Sequence, residues 1–316
     1  MLVPVLVQRF LPDAAAVGDE VRHGLASTPA RVASKFFYDT LGSRLFDAIT
    51  ALDEYYLTRT EAAIFAAHGG AMAAACGSGR PLIDLGAGDC AKAASLFPLL
   101  RPAQYVAVDI SVDFLRDALM ALQQRHPALP MCALGQDFSV TLDLADAVMP
   151  GPRTVFYPGS SIGNFTPDEA LAFLGRARAA CAGGTLLIGV DGVKDRAVLE
   201  AAYDDPLGVT AAFNLNLLRH VNALIGSDFD PCAWQHVAFY DAPASRIEMH
   251  LASRTAQIVR WPGGERSFAA GERLHTEISC KYRPGDFEAL LHDAGFRSVQ
   301  RWTDARGWFH VFAARA

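Results

Sequence analysis

Pro81-Leu-Ile-Asp-Leu-Gly-Ala-Gly-Asp-Cys-Ala91, followed by Gln104-Tyr-Val-Ala-Val-Asp109, decides the fold of this chain. The first run is a short apolar strand entering a glycine-rich turn, and residues 91–100 read as the helix that leaves it. Residues 104–109 form a second strand that ends on an acid. Glycine at a strand-to-helix turn lets the backbone bend sharply and approach a ligand closely. An acid closing the following strand is where the ribose hydroxyls of an adenine nucleotide or nucleoside are met. The pattern also satisfies GxGxxA, so a plain tight turn and a dinucleotide site remain alternatives to a nucleoside site here.

Downstream, residues 112–125 have helical spacing, and residues 131–134, 154–157 and 185–190 read as the third, fourth and fifth strands. Thr166-Pro-Asp-Glu169 has the form of a capping box with proline at the first helical position, and Gly183-Gly184 marks the end of that helix. This alternation predicts a Rossmann-like parallel α/β sheet. After Asp191 it stops. Helices are expected within residues 195–226, then antiparallel strands over 236–240, 246–252, 256–261 and 274–281. The βα rhythm returns at Pro284 with a helix ending near Gly295, then strands over 298–304 and 308–314. The predicted organisation is a Rossmann-like domain of residues 62–194 and 284–316, with an inserted α+β substrate-binding domain of residues 195–283 joined by residues 1–61.

Asp84 separates the ligand alternatives. A carboxylate two residues before the first glycine is poorly placed for a pyrophosphate and well placed for the ammonium of an amino-acid tail. Asp137-Phe138, just after the third strand, offers a carboxylate for an exocyclic amine and an aromatic face for stacking. Adenosine with an amino-acid tail and no phosphate is S-adenosylmethionine. Gly86, Gly88, Asp84, Asp109, Asp137 and Phe138 are therefore its candidate contacts. The runner-up, an NAD-dependent oxidoreductase, uses the same glycine turn.

The chain has 316 residues, 51% of them apolar, enough to bury a large core. Its net charge of −6 and the lack of a basic stripe speak against a nucleic-acid partner. No run reaches the ~18 apolar residues of a membrane span, and the N-terminus lacks the charged region of a signal peptide. The six cysteines form no CxxC and the nine histidines show no metal-ligand spacing. A cytoplasmic monomer without metal or disulfides, acting on a small molecule, is expected.

Gly159-Ser-Ser161-Ile-Gly163 formally matches a nucleophile elbow, but the helix cap at Thr166 leaves too long a loop for one. The alternative is a substrate loop at the carboxyl end of the sheet, with Asn164 offering a carbonyl acceptor and an amide donor beside the methyl group. An Asx turn is the plain reading of that asparagine. In Glu277-Ile-Ser279-Cys280, strand alternation puts the two polar groups on one face, either a binding face or a solvated one.

Several longer motifs carry a resemblance. Lys35-Phe-Phe-Tyr-Asp39, Gly42-Ser-Arg-Leu-Phe46, Glu54-Tyr-Tyr-Leu-Thr-Arg-Thr-Glu61, Tyr157-Pro-Gly-Ser-Ser-Ile-Gly-Asn164, Ala202-Tyr-Asp-Asp205 with Phe213-Asn214, and Thr276-Glu-Ile-Ser-Cys-Lys-Tyr282 stand in that order. From about residue 30 onward the chain resembles the histidine-specific Nα-methyltransferases of ergothioneine biosynthesis. The resemblance implies a class I S-adenosylmethionine-dependent methyltransferase sheet. It implies that Gly86, Lys92, Asp109 and Asp137-Phe138 bind the cofactor. It further implies that Tyr56, Asn164 and Tyr203 hold the amino-acid backbone of the substrate, that Glu277 and Ser279 grip an imidazole, and that Met249 lines that pocket; Gly159 is a further substrate-binding candidate. Asn164 and Tyr38 are the catalytic candidates. Leu57, where a proline is common, and Asp89-Cys90 depart from the family pattern.

The implied reaction is methylation of the α-amino group of L-histidine, repeated to a trimethylammonium product, hercynine. Another free amino acid, such as a tryptophan derivative, is the alternative substrate. The amine must be neutral to attack. An aromatic-lined, cation-poor site is expected to favour that form, and tyrosine faces then tolerate the fixed charge of the product.

Overall fold

A computed structural model describes residues 2–9, 13–110 and 112–316. In chain order its strands are β1 Val5–Gln8, β2 Leu82–Leu85, β3 Tyr105–Asp109, β4 Met131–Gly135, β5 Thr154–Tyr157, β6 Thr185–Asp191, β7 Trp234–Asp241, β8 Arg246–Ser253, β9 Gln257–Trp261, β10 Gly264–Phe268, β11 Arg273–Cys280, β12 Ser298–Thr303 and β13 Phe309–Arg315. The chain divides into two compact units. The first is Met1–Leu11, Arg59–Gly192 and Tyr282–Ala316; the second is Pro12–Thr58 with Val193–Lys281.

The first unit is built on a sheet in the order β1-β4-β3-β2-β5-β6-β13-β12. Strands β1 to β6 pair in parallel, and β13 enters antiparallel between β6 and β12. Strands β2 to β5 are apolar runs with every residue buried apart from the half-buried Asp109, as parallel strands covered on both faces must be. Ile83, Val106, Leu134, Val155 and Ile188 form one core layer with Phe173 of the helix Pro167–Cys181 and Phe287 of the helix Pro284–Asp293. The capping box at Thr166 is formed, with both reciprocal hydrogen bonds to Glu169.

Three expectations are corrected here. The N-terminal segment does not join the second unit as a whole: Val5-Leu-Val-Gln8 extends the large sheet in parallel with Cys132–Gly135. Gln8 anchors it by donating to Ile110 O at 3.2 Å and accepting from Val112 N at 3.2 Å. The boundaries also shift, to Arg59, Gly192 and Tyr282, because Gly192 and Tyr282 form a parallel bridge that holds both strand exits in the first unit. Finally, residues 91–100 form two short helices, Ala91–Ser95 and Phe97–Leu100, since Pro98 cannot donate the amide that a continuous helix needs.

The second unit holds a three-stranded antiparallel sheet, β11-β8-β7, and a two-stranded one, β10-β9. Strand β10 went unrecognised in the sequence; Pro262-Gly263 turns the chain into it, with Gly263 at φ +89°. The helix Val209–Ile225 contributes Phe213, which stacks on Phe37 at 4.5 Å, and Asn216, which donates to Asp39, the cap of the helix Thr40–Thr50. Between His275 and Glu277 the pairing of β11 with β8 slips by one residue, a β-bulge at Thr276. Among the described residues, no helix is long and apolar enough to cross a membrane.

Candidate active site

The glycine turn leaves β2 with Gly86 at φ +69° and Gly88 at φ +52°, a region that glycine enters without steric cost. Gly86 N and Ala87 N both donate to Val108 O, at 2.9 and 3.3 Å. Asp109 ties the turn to the end of β3: Oδ2 accepts from Gly88 N at 3.4 Å and Oδ1 from Ile110 N at 2.8 Å. Burial raises its carboxyl pKa. A Cβ on Gly88 would meet nothing within 4 Å, and one on Gly86 would meet only Phe138 Cζ, at 3.7 Å. The bend is thus open above Gly88 and bounded by an aromatic ring beside Gly86, which fits a nucleoside approaching the backbone. Asp137 lies in the turn after β4, where its Oδ1 accepts from Ser139 N at 3.0 Å and from the Ser139 hydroxyl.

Asp84 is buried, and its Oδ2 accepts from the Tyr105 phenol at 2.7 Å. Burial pushes its carboxyl up to about 7, against the Tyr105 hydrogen bond and Lys92, which favour the charge. A cationic ligand group would favour the ionised form further. Cys90, in the left-handed region at φ +61°, is also buried, which pushes its thiol up to about 12 and makes it a packing residue.

Lys92 does not stand alone. Its Nζ donates to Glu61 Oε2 at 2.6 Å, and Glu61 Oε1 accepts from Gly159 N at 2.8 Å. Glu61, with 0% exposure, therefore links the helix Leu57–Cys76, the glycine-turn helix and the loop after β5. In that loop Ser160 takes φ +61°, and its Oγ accepts from Asp191 N at 2.8 Å. Ser161 Oγ donates to Pro158 O at 3.3 Å. Both serines thus brace the loop, and among the described residues neither hydroxyl has a histidine partner. Asn164 is the half-buried last residue of the 3-10 turn Ser161–Asn164, two residues before the N-cap Thr166 of the helix Pro167–Cys181.

In the second unit the strand past the bulge carries Glu277, Ser279 and then Lys281 on one face. Ser279 Oγ accepts from the Tyr203 phenol at 2.8 Å; Lys281 Nζ donates to Tyr203 Oη at 2.9 Å and to Ser279 Oγ at 2.8 Å. All three side chains are buried. Burial pushes the half-buried Glu277 up to about 7, with Lys281 opposing. Met249 is paired directly with Glu277 across the strands. Tyr203 is held from behind: His236 Nε2 bonds Tyr203 O at 2.8 Å and its Nδ1 meets Asn214 Nδ2 at 2.9 Å. Tyr56 is buried, with Lys194 Nζ 2.7 Å from its hydroxyl and 4.5 Å from its ring centroid. Tyr38 is 49% exposed and lies edge-on to Phe46 and Phe213, at 5.6 and 5.8 Å.

The expected cation-poor site is corrected by these contacts. Two ammonium groups, of Lys194 and Lys281, sit on the two candidate substrate tyrosines. Glu61, Asn214, His236 and both lysines carry structure that the sequence reading did not assign. Glu61, Asn214 and Lys281 stand within the quoted motifs without a role there, and Lys281 also continues the two-residue period of Glu277 and Ser279. The structure also gathers Glu248, His250 and His275 with their ligating atoms within 4.8 Å of one another. Sequence spacing cannot reveal that cluster, because His275 comes from a different strand.

A parallel sheet with one antiparallel strand inserted near its edge, a glycine turn after its central strand and an acid closing the next define a Rossmann-like S-adenosylmethionine-dependent methyltransferase. The model of a family described as histidine-specific, SAM-dependent methyltransferases matches residues 17–316. A histidine N-alpha-methyltransferase of Mycolicibacterium smegmatis is 42% identical over 95% of this chain and 95% of its own length. One of Mycobacterium tuberculosis is 40% identical over 95% and 94%. Ergothioneine biosynthesis protein 1 of Neurospora crassa is 32% identical over 87% of this chain, which spans 32% of that longer protein. The chain belongs to the histidine-specific, S-adenosylmethionine-dependent methyltransferase family.

Proposed function

We propose that the enzyme methylates the α-amino nitrogen of L-histidine three times, giving hercynine, the first step of ergothioneine biosynthesis. The observation that carries this reading is the face of β11. Glu277 is held where it exchanges a proton near neutral pH, two positions from the buried Ser279 hydroxyl. An imidazole presents one donor and one acceptor, or two donors, and a carboxylate beside a hydroxyl answers each of these states. An indole is donor only and uses half of that set. The names of the two mycobacterial relatives support the same substrate.

The cofactor supplies a methyl group already activated on a sulfonium. The chain's share is to hold the nitrogen neutral and in line with it. In this reading Asn164 orients the lone pair, Tyr38 offers its ring and hydroxyl to the reacting group, and Tyr56, Gly159 and Tyr203 hold the amino-acid backbone. Lys194 and Lys281 disfavour a third positive charge near the tyrosines, which lowers the pKa of the incoming ammonium. The neutral amine is thus favoured by like charge as well as by burial. Gly86, Gly88, Asp109, Asp137 and Phe138 hold the nucleoside, with Asp84 and Lys92 toward the methionine end. In this reading the enzyme is a cytoplasmic monomer with no membrane partner, and the net charge of −6 speaks against a nucleic-acid partner.

Incubation with S-adenosylmethionine and all twenty free amino acids, read by mass spectrometry, tests the reading. Mass gains of one to three methyl groups on histidine alone are expected. Gains on tryptophan instead would transfer the assignment, and gains on none would end it.

A further inference from the structure

The bulge at Thr276 has a second consequence. Directly paired residues of antiparallel strands project from the same side of a sheet. Glu277 pairs with Met249, whereas His275 pairs with His250, the next residue along β8. His250 and His275 therefore occupy the face opposite Glu277 and Ser279. On that face, within the second unit, lies a cavity of about 570 Å³ whose wall includes Arg31, Arg246, Arg273, Glu248, His250 and His275. Three chain segments build it. Strand β8 supplies Arg246, Glu248 and His250 at alternate positions, β11 supplies Arg273 and His275, and Arg31 is bridged to His275.

Its charge identifies what it takes. Glu248 is engaged at both oxygens: Oε1 accepts from Arg246, with Nε at 2.8 Å, and Oε2 faces His250 Nε2 at 2.9 Å. Burial, then the neighbouring His250 and more weakly Arg246 and Arg31, push His275 down to about 4, and burial lowers His250 despite Glu248. Arg31 and Arg273 are exposed, and among the described residues neither has a carboxylate partner; Arg273 instead lies over the Phe239 ring at 5.3 Å. Three guanidiniums thus face one carboxylate, itself occupied. Glu248, His250 and His275 are close enough together to ligate a cation. A cation there would compete with Arg246 for Glu248 and face the repulsion of Arg31 and Arg273.

We propose that this face of the sheet binds a small, doubly charged oxyanion of the phosphate class, with Arg31 and Arg273 as its charge partners and His275 as a hydrogen-bonding wall. Guanidinium forks match such oxygens in pairs. Among the described residues the buried His250 Nδ1 has no hydrogen-bond partner, so the cavity wall holds a further polar atom to be satisfied.

The test is calorimetric titration of the full chain with inorganic phosphate, with glycerol 3-phosphate and with zinc alone, at constant ionic strength. Saturable binding of one phosphate-class equivalent is expected, weakened at least about tenfold in Arg31→Gln and in Arg273→Gln. Tighter binding of the monoester would point to a phosphorylated metabolite, tighter binding of phosphate to the free ion, and either supports the site. Both arginines are exposed, and unchanged S-adenosylhomocysteine binding reports that the variants are folded. The proposal is overturned if neither anion saturates, or if both variants bind as the parent does. It is equally overturned if zinc binds in one equivalent, is lost in His275→Gln, and the anions do not bind.

Discussion

In the Rossmann-like unit the candidate cradle is backbone, and in the other unit it is side chain. Around the cofactor residues the turns at Gly86, Gly88, Gly159 and Ser160 all have positive φ, and carboxylates reach in to hold them: Asp109 the amide of Gly88, Glu61 that of Gly159. Around the amino-acid residues a bulged strand presents a carboxylate, a hydroxyl and an ammonium to phenols from other segments. The contrast follows from the ligands. A nucleoside common to many reactions is met by a close-fitting main chain, whereas a particular side chain such as imidazole is distinguished by donors and acceptors that only side chains vary. Damage around Gly86, Gly88 and Asp109 should therefore register as folding or cofactor loss, and damage around Tyr203, Glu277 and Ser279 as substrate loss.

The largest effect is expected at Gly189. Its added Cβ would fall 2.0 Å from Glu61 Oε1 and 3.1 Å from the Phe309 ring, in the middle of β6. Gly189→Ala must displace a buried carboxylate from Lys92 and from Gly159 N together. A loss of about 3 kcal/mol in urea unfolding is expected, with weakened S-adenosylhomocysteine binding. Unchanged stability would mean that Glu61 is not locked in this cradle.

Lys281→Met probes the other side of the contrast. Methionine keeps the length but removes the donor to Tyr203 and Ser279 and the charge that opposes protonation of Glu277. The KM for histidine should rise about thirtyfold, from the loss of charged hydrogen bonds worth roughly 2 kcal/mol. Cofactor affinity should hold. Because Lys281 lowers the Glu277 pKa, its removal moves that pKa above about 7, so as pH falls the carboxylate is protonated, and histidine binding lost, at a higher pH than in the parent. A KM–pH profile that does not move would remove Glu277 from the imidazole contact.

The same contrast explains what could be read without a structure. Strands β2 to β6, the capping box and the glycine turn were legible because each depends on neighbours a few residues away. Strand β1 was not, since four residues at a sheet edge have no periodicity of their own and gain their place only from pairing with β4. Glu61 stood within a recognised motif, yet its partners Lys92, Gly159 and the space at Gly189 lie far along the chain. The segment Leu274-His-Thr-Glu-Ile-Ser-Cys280 reads as one even alternation. Only the pairing with β8 shows that its two halves look to opposite faces. The arginine–histidine face was invisible for that reason.

Asp84 tests the first unit by pH. Its folded pKa, about 7, lies above the ordinary 3.8, so the folded state binds more protons than the unfolded one between these values. The group's contribution to stability is complete below about 4 and is lost as pH rises through about 7. Asp84→Asn keeps an acceptor for Tyr105 without the charge. Relative to the parent, it should gain stability as pH rises from about 4 through about 7. It should also lose cofactor affinity, because the methionine ammonium then lacks its carboxylate. Parallel stability curves for the two proteins would contradict a buried, titrating Asp84.

The smallest effect is expected at Tyr38, and it bears most directly on the chemistry. The ring packs edge-on against Phe46 and Phe213 while almost half of the residue is exposed, 49%. Tyr38→Phe preserves that packing, so stability should stay within about 0.5 kcal/mol. If the hydroxyl touches the reacting nitrogen, kcat should fall about threefold to tenfold with little change in KM, since an interaction made mainly in the transition state affects turnover. If only the ring acts, through its face on the growing ammonium, kcat should hold in Tyr38→Phe and fall in Tyr38→Leu, most in the last transfer, whose product carries the fixed charge. An equal loss at every transfer in the leucine variant would instead assign Tyr38 to packing, leaving Asn164 as the one catalytic candidate.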